Sequence, residues 1–355
     1  MTPTMNPKER YLASAMGQKP DKPPVYVGSY DAFLRHYYGM TARQFTDDPE
    51  ANAEYTTRFL DEFSICGTIP AVTYIMFGCG PETGVKWEFA ADNAPAAVEG
   101  PIKTMEDLEH WQVPTEPSGY FKLHLDTIKL INEKVGSRVF LMGLSAAPHT
   151  NAGFLRGVEQ SLLDAMKNPD FYDALMNKCV QHSIYIREQV LKIGLPTVTF
   201  FDIFVTPQMM SPDFYHMHVA PYNKKVIDYF APKGDVVIDT MAPFMGKKGD
   251  LASQKQGRFF FDYLFGTKES LDVIKAIAPN VPMQSIYVTL SGRMMNTWPV
   301  DKTLDFLKQG LDYVVGLGKY PQIQLVSIDT MDKEAAQLCA EKLRRIQKLA
   351  DAYPL

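Results

Sequence analysis

A chain of 355 residues with 36 Lys and Arg against 41 Asp and Glu carries a formal charge of −5. At 46% hydrophobic and 22% charged residues, it has an ordinary globular balance and enough length for a large core, as two or three domains or as one barrel with insertions. The mild acidity and the scattered basic residues exclude a dedicated nucleic-acid binder, and no apolar run approaches the roughly 18 residues a membrane span needs.

In chain order, the opening MTPTMNPKER lacks the apolar stretch of a secretion signal, so a cytoplasmic protein is expected. Near-continuous apolar runs mark strands at 24–28, 71–77, 138–144, 197–204, 235–240, 258–263, 282–290 and 322–328, the pattern of parallel strands covered on both faces. Helices are expected at 49–63, 120–135, 151–166, 169–193, 212–230, 268–277, 301–315 and 332–352. Asp48-Pro49, Asn168-Pro169 and Ser211-Pro212 each set a capping side chain before a proline, and Thr104 to Asp107 has capping-box spacing. Residues 78–117 are rich in Pro and Gly and read as an inserted loop region. Eight strands alternating with helices predict a single-domain (β/α)8 barrel over residues 1–355, with an N-terminal extension before the first strand.

Cys66, Cys79, Cys179 and Cys339 share no ligand spacing and read as reduced thiols. The basic group Lys342, Arg344, Arg345 and Lys348 reads as a solvated helix face. The 18 Met, 21 Phe and 18 Tyr suit a pocket that packs around a flat ligand, or simply fill the core.

In such barrels, reactive groups sit at the carboxyl ends of strands. Those positions hold Tyr26 and Tyr30, Ser145 and His149, Asp202, Asp239, Asp262, Tyr287 and Arg293, and Asp329. Each Asp is either a helix cap or a pocket carboxylate, and His149 is either structural or functional. His216 and His218 form an HxH pair on an expected helix, where side chains two positions apart diverge and chelate poorly. Phosphate-loop, nucleophile-elbow and zinc-protease motifs are absent. The residues alone lead to a cytosolic α/β barrel with an aromatic, Met-rich and carboxylate-bearing pocket.

Several segments add a resemblance. They are Lys8-Glu-Arg10 followed by Lys19-Pro-Asp21-Lys-Pro-Pro24, the strand–helix element through Ala146-Ala-Pro148-His149-Thr150 to Gly157, and Ile193-Gly194 through Asp202 to SPDFYHMHVAPYNKK. Together they resemble the uroporphyrinogen decarboxylase superfamily, which includes corrinoid-dependent methyltransferases on a (β/α)8 fold. Two departures bear on activity. The segment Gly28-Ser-Tyr-Asp-Ala-Phe-Leu-Arg35 lacks the arginines a porphyrinogen with eight carboxylates demands, and residues 63–80 lack the family's catalytic Asp. Thiol-methylating relatives hold zinc with an His-x-Cys pair, where this chain has Asp239-Thr240-Met241. A thioether is a poor zinc ligand, which leaves Asp239 as the sole candidate metal ligand and zinc without motif support.

The resemblance therefore implies a donor-side methyltransferase that moves a methyl group from a small methylated substrate, with aryl methyl ethers favoured, to cob(I)alamin on a partner corrinoid protein. Asp202, His149 and Asp239 are the candidate catalytic residues. Tyr26, Tyr30, Phe204, Met241, Tyr287 and Arg293 are the candidates for substrate binding. No membrane or nucleic-acid partner is expected, and a homodimer is the candidate assembly. The alternatives are a decarboxylase-like lyase, a methylcobamide-to-acceptor methyltransferase, and a binding protein that has lost its chemistry.

Overall fold

The computed structural model describes residues 5–70, 78–89, 95–264, 271–280, 283–330 and 332–355. The chain divides into two compact units, Met1–Val72 with Thr127–Met142 and Phe259–Leu355, and Thr73–Asp126 with Gly143–Arg258.

The first unit is built on parallel strands. These are β1 (Val25–Ser29), β2 (Gly67–Thr68), the start of β5 (Phe140–Ala146), β7 (Ser285–Leu290) and β8 (Tyr320–Ser327). Their order is β5-β2-β1-β8-β7, with every neighbouring pair parallel. Register is set where Val25 faces Ile323 and Tyr26 faces Gln324. Long amphipathic helices, Val300–Gly316 and Lys333–Ala352, belong to the same unit and bury Leu307, Leu311 and Val314, and Cys339, Leu343 and Ile346.

The second unit contains the end of β5, β6 (Thr197–Phe201) beside it, and an antiparallel hairpin of β3 (Lys86–Glu88) and β4 (Ala96–Glu99). Its helices include Pro148–Leu155, Val158–Lys167, Pro169–Leu191 and Ala220–Phe230. Ala147, Val180, Phe200, Val226, Phe230 and Val237 form a buried cluster. Arg187, almost fully buried, holds Asp235 through two bonds of 2.6 and 2.9 Å and also donates to the Val198 carbonyl and the Ser145 hydroxyl.

The caps behave as expected at Asp48, Thr104 and Ser211, whose side chains accept from Ala51, Asp107 and Phe214 N–H. Asn168 does not cap its helix; its amide donates to Asp164 Oδ1 at 3.0 Å instead. The helix expected at 151–166 is two helices, broken at Gly157, whose φ of 102° an L side chain rarely adopts. Within 212–230 the chain makes a π-helical turn, Tyr215–Val219.

Three strand expectations require correction or limitation. Residues 258–263 lie in the helix Leu251–Leu264. Its first turn is capped by Asp250, whose carboxylate accepts from Ala252 and Ser253 N–H, and a short apolar run does not by itself separate a strand from a buried helix. Asp262 is accordingly a helical residue and not a strand end. Residues 235–240 form no ladder beyond one parallel bridge, Phe200 to Asp239. The strand expected at 71–77 lies outside the described residues, while β2 occurs just before it. Lys342 corrects another reading. It is fully buried, with its ammonium donating to the carbonyls of Met294 and Met295.

Candidate active site

Two strand ends of the second unit build the site. After β5, Ala147 leads into the helix Pro148–Leu155, whose first position is a proline and whose eight residues are all buried. Pro is tolerated there because its missing N–H would have had no partner within the helix. His149 therefore sits in the first helical turn. Its ring is fully buried and neither nitrogen has a partner among the described residues. Burial pulls its pKa down to about 4, so the imidazole is neutral at neutral pH.

Thr150, next in the chain, donates its hydroxyl to Oδ1 of Asp202 at 2.7 Å and accepts the N–H of Ile203 at 3.0 Å. Asp202 follows directly on β6 and is 1% exposed. Its Oδ2 is buried without a partner among the described residues. Burial, reinforced by the negative charge of Asp239, pushes the Asp202 carboxyl up to about 7, against the pull of Thr150 and of the Phe204 N–H. Desolvation disfavours the charged form, and a nearby like charge does the same. A substantial share of Asp202 is thus a neutral acid at pH 7.

Asp239, by contrast, has both carboxylate oxygens hydrogen-bonded. Its Oδ2 accepts the Tyr215 phenol at 2.5 Å and the Asn223 amide at 2.7 Å, and its Oδ1 accepts the N–H groups of Met241 and Ala242 at 3.1 Å each. Four donors occupy the roughly four lone-pair positions a carboxylate offers. Met241, buried beside it in sequence, supplies only a thioether. These groups do not fit a zinc ion, and among the described residues no cluster of three His, Cys, Asp or Glu could hold a metal.

Phe204, two residues beyond Asp202, is half-buried. Its ring meets Phe154 edge-on at 5.3 Å and lies so close to Gly153 that an added Cβ would come within 2.5 Å of it. An open groove nearby in sequence is lined by Leu162, Leu163, Met166, Met209, Met210 and Phe214, with Glu159 and Ser211 among them.

The structure therefore brings Asp202, Asp239, Phe204 and Met241 into one unit with His149. Tyr26, Tyr30, Tyr287, Arg293 and Asp329 belong to the other unit. There Tyr287 hydrogen-bonds Tyr11 at 2.9 Å, and Arg293 and Asp329 are exposed. Ser145 is committed to the Thr199 carbonyl and to Arg187. The two histidines of the HxH pair diverge: His216 Nε2 lies 2.6 Å from the Gly246 carbonyl oxygen, whereas His218 packs on Phe214 with ring centres 4.7 Å apart. Thr150, Tyr215 and Asn223 were not legible as site residues. Their significance rests on partners 52, 24 and 16 positions away.

The family model for uroporphyrinogen decarboxylase (URO-D) matches residues 6–244, a span that contains Thr150, Asp202, Tyr215, Asn223 and Asp239. The chain belongs to the uroporphyrinogen decarboxylase family. Among curated relatives, a uroporphyrinogen decarboxylase of Geobacter sulfurreducens is 27% identical over 234 residues, covering 62% of this chain and 65% of that one. The methylcobamide:CoM methyltransferase MtbA of Methanosarcina acetivorans is 24% identical over 153 residues, covering 43% of each chain. Among solved structures, a methyltransferase from Methanosarcina mazei superposes with a TM-score of 0.67 at 18% identity, covering 97% of this chain and 99% of that one. That likeness extends the α/β fold beyond the family match.

Proposed function

We propose that this protein is a corrinoid-dependent methyltransferase on a single-domain (β/α)8 barrel. In this reading it demethylates an aryl methyl ether and passes the methyl group to cob(I)alamin carried by a separate corrinoid protein. The observation that carries the reading is Asp202, a buried carboxyl that is half protonated near neutral pH and keeps one oxygen without a partner. Methyl transfer from an ether oxygen breaks a carbon–oxygen bond and leaves a phenoxide, whose conjugate acid has a pKa of about 10. A proton from Asp202 Oδ2 would neutralise that oxygen as the methyl cation equivalent passes to cobalt(I), which supplies the electron pair. General acid help of this kind contributes roughly 10²–10⁴-fold. Phe204 and Met241 would offer apolar surface to the ring, while neutral His149 can donate or accept a hydrogen bond. A curated relative named as a methylcobamide:CoM methyltransferase supports a corrinoid partner.

A second reading, a decarboxylase-like lyase, is favoured by the curated relatives named as uroporphyrinogen decarboxylases. Against it, the first strand is followed by one arginine, Arg35, which lies 3.6 Å from the Asp31 carboxylate, a weak foundation for gripping eight carboxylates. Methyl delivery from a methylcobamide to a thiol acceptor lacks support from the Asp239–Met241 donor set.

The experiment incubates the protein with a reduced corrinoid protein and a panel of methoxylated aromatics, methanol and methylamines, following the cobalt absorption spectrum. Methyl-cobalt formation with guaiacol-type ethers is the expected result. Release of carbon dioxide from a porphyrinogen, with no methylated compound reacting, would establish the lyase instead.

A further inference from the structure

The two oxygens of Asp202 have unequal surroundings. Oδ1 accepts the Thr150 hydroxyl at 2.7 Å and faces the Phe204 N–H at 3.4 Å, whereas Oδ2 is buried with no partner among the described residues. Thr150 has one proton to give. Because Ile203 N–H points at its oxygen from 3.0 Å, a hydroxyl rotated toward Ile203 would set proton against proton. Asp202 Oδ1 is the one acceptor for that hydroxyl among the described residues, so the hydrogen lies on Asp202 and Oδ1 serves as its acceptor. A carboxyl proton placed on Oδ1 would oppose the Thr150 hydroxyl.

We propose that Thr150 is a positioning residue that confines the Asp202 proton to Oδ2, so that the acid offers its hydrogen in a single direction. This rests on reading Asp202 as the proton donor and deepens it, because a donor free to hold its proton on either oxygen would be misdirected part of the time. Preorganised donors are effective because they need no reorientation at the moment of reaction. Thr150 itself stays out of contact with the transferred proton. The other titratable groups in electrostatic reach of Asp202 are Asp239, the Tyr215 phenol of the π-helical turn and the Tyr172 phenol of the helix Pro169–Leu191. Asp239 raises the Asp202 titration, and none of the three hydrogen-bonds either Asp202 oxygen.

The test is infrared spectroscopy of the full chain near pH 5, with the Asp202 carbonyl band assigned by difference against Asp202→Asn. In the wild type that band should lie at the low frequency of a hydrogen-bonded C=O, since the carbonyl oxygen is Oδ1. Thr150→Val should move it to the frequency of a free carbonyl and raise the Asp202 titration midpoint, because a bond that favours the charged form is lost. Thr150→Ser should restore both. Turnover should fall about tenfold in kcat with KM unchanged in the valine variant and recover in the serine variant. A wild-type band already at the free-carbonyl position overturns the proposal without any Thr150 variant being needed, and so does a valine variant with an unshifted band. If the bands behave as expected but no methylated ether reacts, the positioning role stands and the methyltransferase reading fails.

Discussion

Tyr215 donates its phenol to Oδ2 of Asp239 at 2.5 Å, with Asn223 donating to the same oxygen at 2.7 Å. The bond depends on the π-helical turn, which begins at Tyr215; such turns recur at functional sites. It leaves the two carboxyl groups unequally hydrogen-bonded. Asp239 is saturated and fixed, and its charge helps to hold Asp202 neutral.

Asp202→Asn should lower turnover by about 10²-fold or more with the fold retained. The loss should shrink for ethers of more acidic phenols, which need less protonation as they leave. Equal losses across a series of ring-substituted ethers would assign Asp202 a positioning role, and wild-type rates would remove it from the mechanism. In the wild type, kcat should decline as pH rises through about 7, because the donor is then ionised.

Stability should carry the same signature. Asp202 titrates near 7 in the folded protein against about 3.9 unfolded, so the folded state binds the extra proton. Its contribution is fully present below about pH 4 and is lost as pH rises toward and through 7, with a total of a few kcal/mol at most. Urea midpoints of Asp202→Asn relative to wild type should therefore improve across that window. A constant offset from pH 4 to 8 would contradict the raised carboxyl.

Removing the phenol oxygen in Tyr215→Phe should cost about 1.5–3 kcal/mol, the usual worth of a hydrogen bond to a charged group. Because Asn223 shares the same carboxylate oxygen, Tyr215→Phe and Asn223→Ala should couple in a double-mutant cycle. Strictly additive losses in chemical denaturation would mean the two donors do not act on one acceptor.

Gly153→Ala places a methyl group against Phe204, at 2.5 Å before relaxation. The ring must move, and overpacking of this kind costs about 1–3 kcal/mol. KM for an aromatic substrate should rise more than kcat falls, and Phe204→Leu in the Gly153→Ala background should relieve the stability loss. An unchanged KM would take Phe204 out of substrate binding.

Purified protein should hold no stoichiometric zinc at Asp239 and Met241. One tightly bound zinc per chain by elemental analysis, lost on changing Cys66, Cys79 or Cys339, would show that another donor set assembles.

What the sequence revealed follows from the range of the forces involved. The Asp48 and Ser211 caps act over three residues and were legible. Asp202 stood out because the apolar strand Thr197–Phe201 ends just before it. Residues 258–263 misled because Gly-Arg-Phe-Phe-Phe-Asp-Tyr contains no period that separates helix from strand. Lys342 was misplaced for a different reason. Its helix buries Cys339, Leu343 and Ile346, and a long side chain on the boundary of that face can turn inward once the Met294 and Met295 carbonyls need donors. Nothing local marks Thr150, whose acceptor lies in another strand–helix unit.

Asp239 and Met241 stand on a segment held by a single bridge and by side chains, Arg187 on Asp235, Thr240 on the Phe200 carbonyl, and Tyr215 and Asn223 on Asp239, rather than by a full row of sheet hydrogen bonds. Side chains on such a tether can be exchanged without unzipping a ladder. New chemistry can therefore be installed at Met241, whose neighbour Asp239 keeps its four donors, while the strands go on supplying stability, which makes this position the natural place to begin redesigning what the enzyme does.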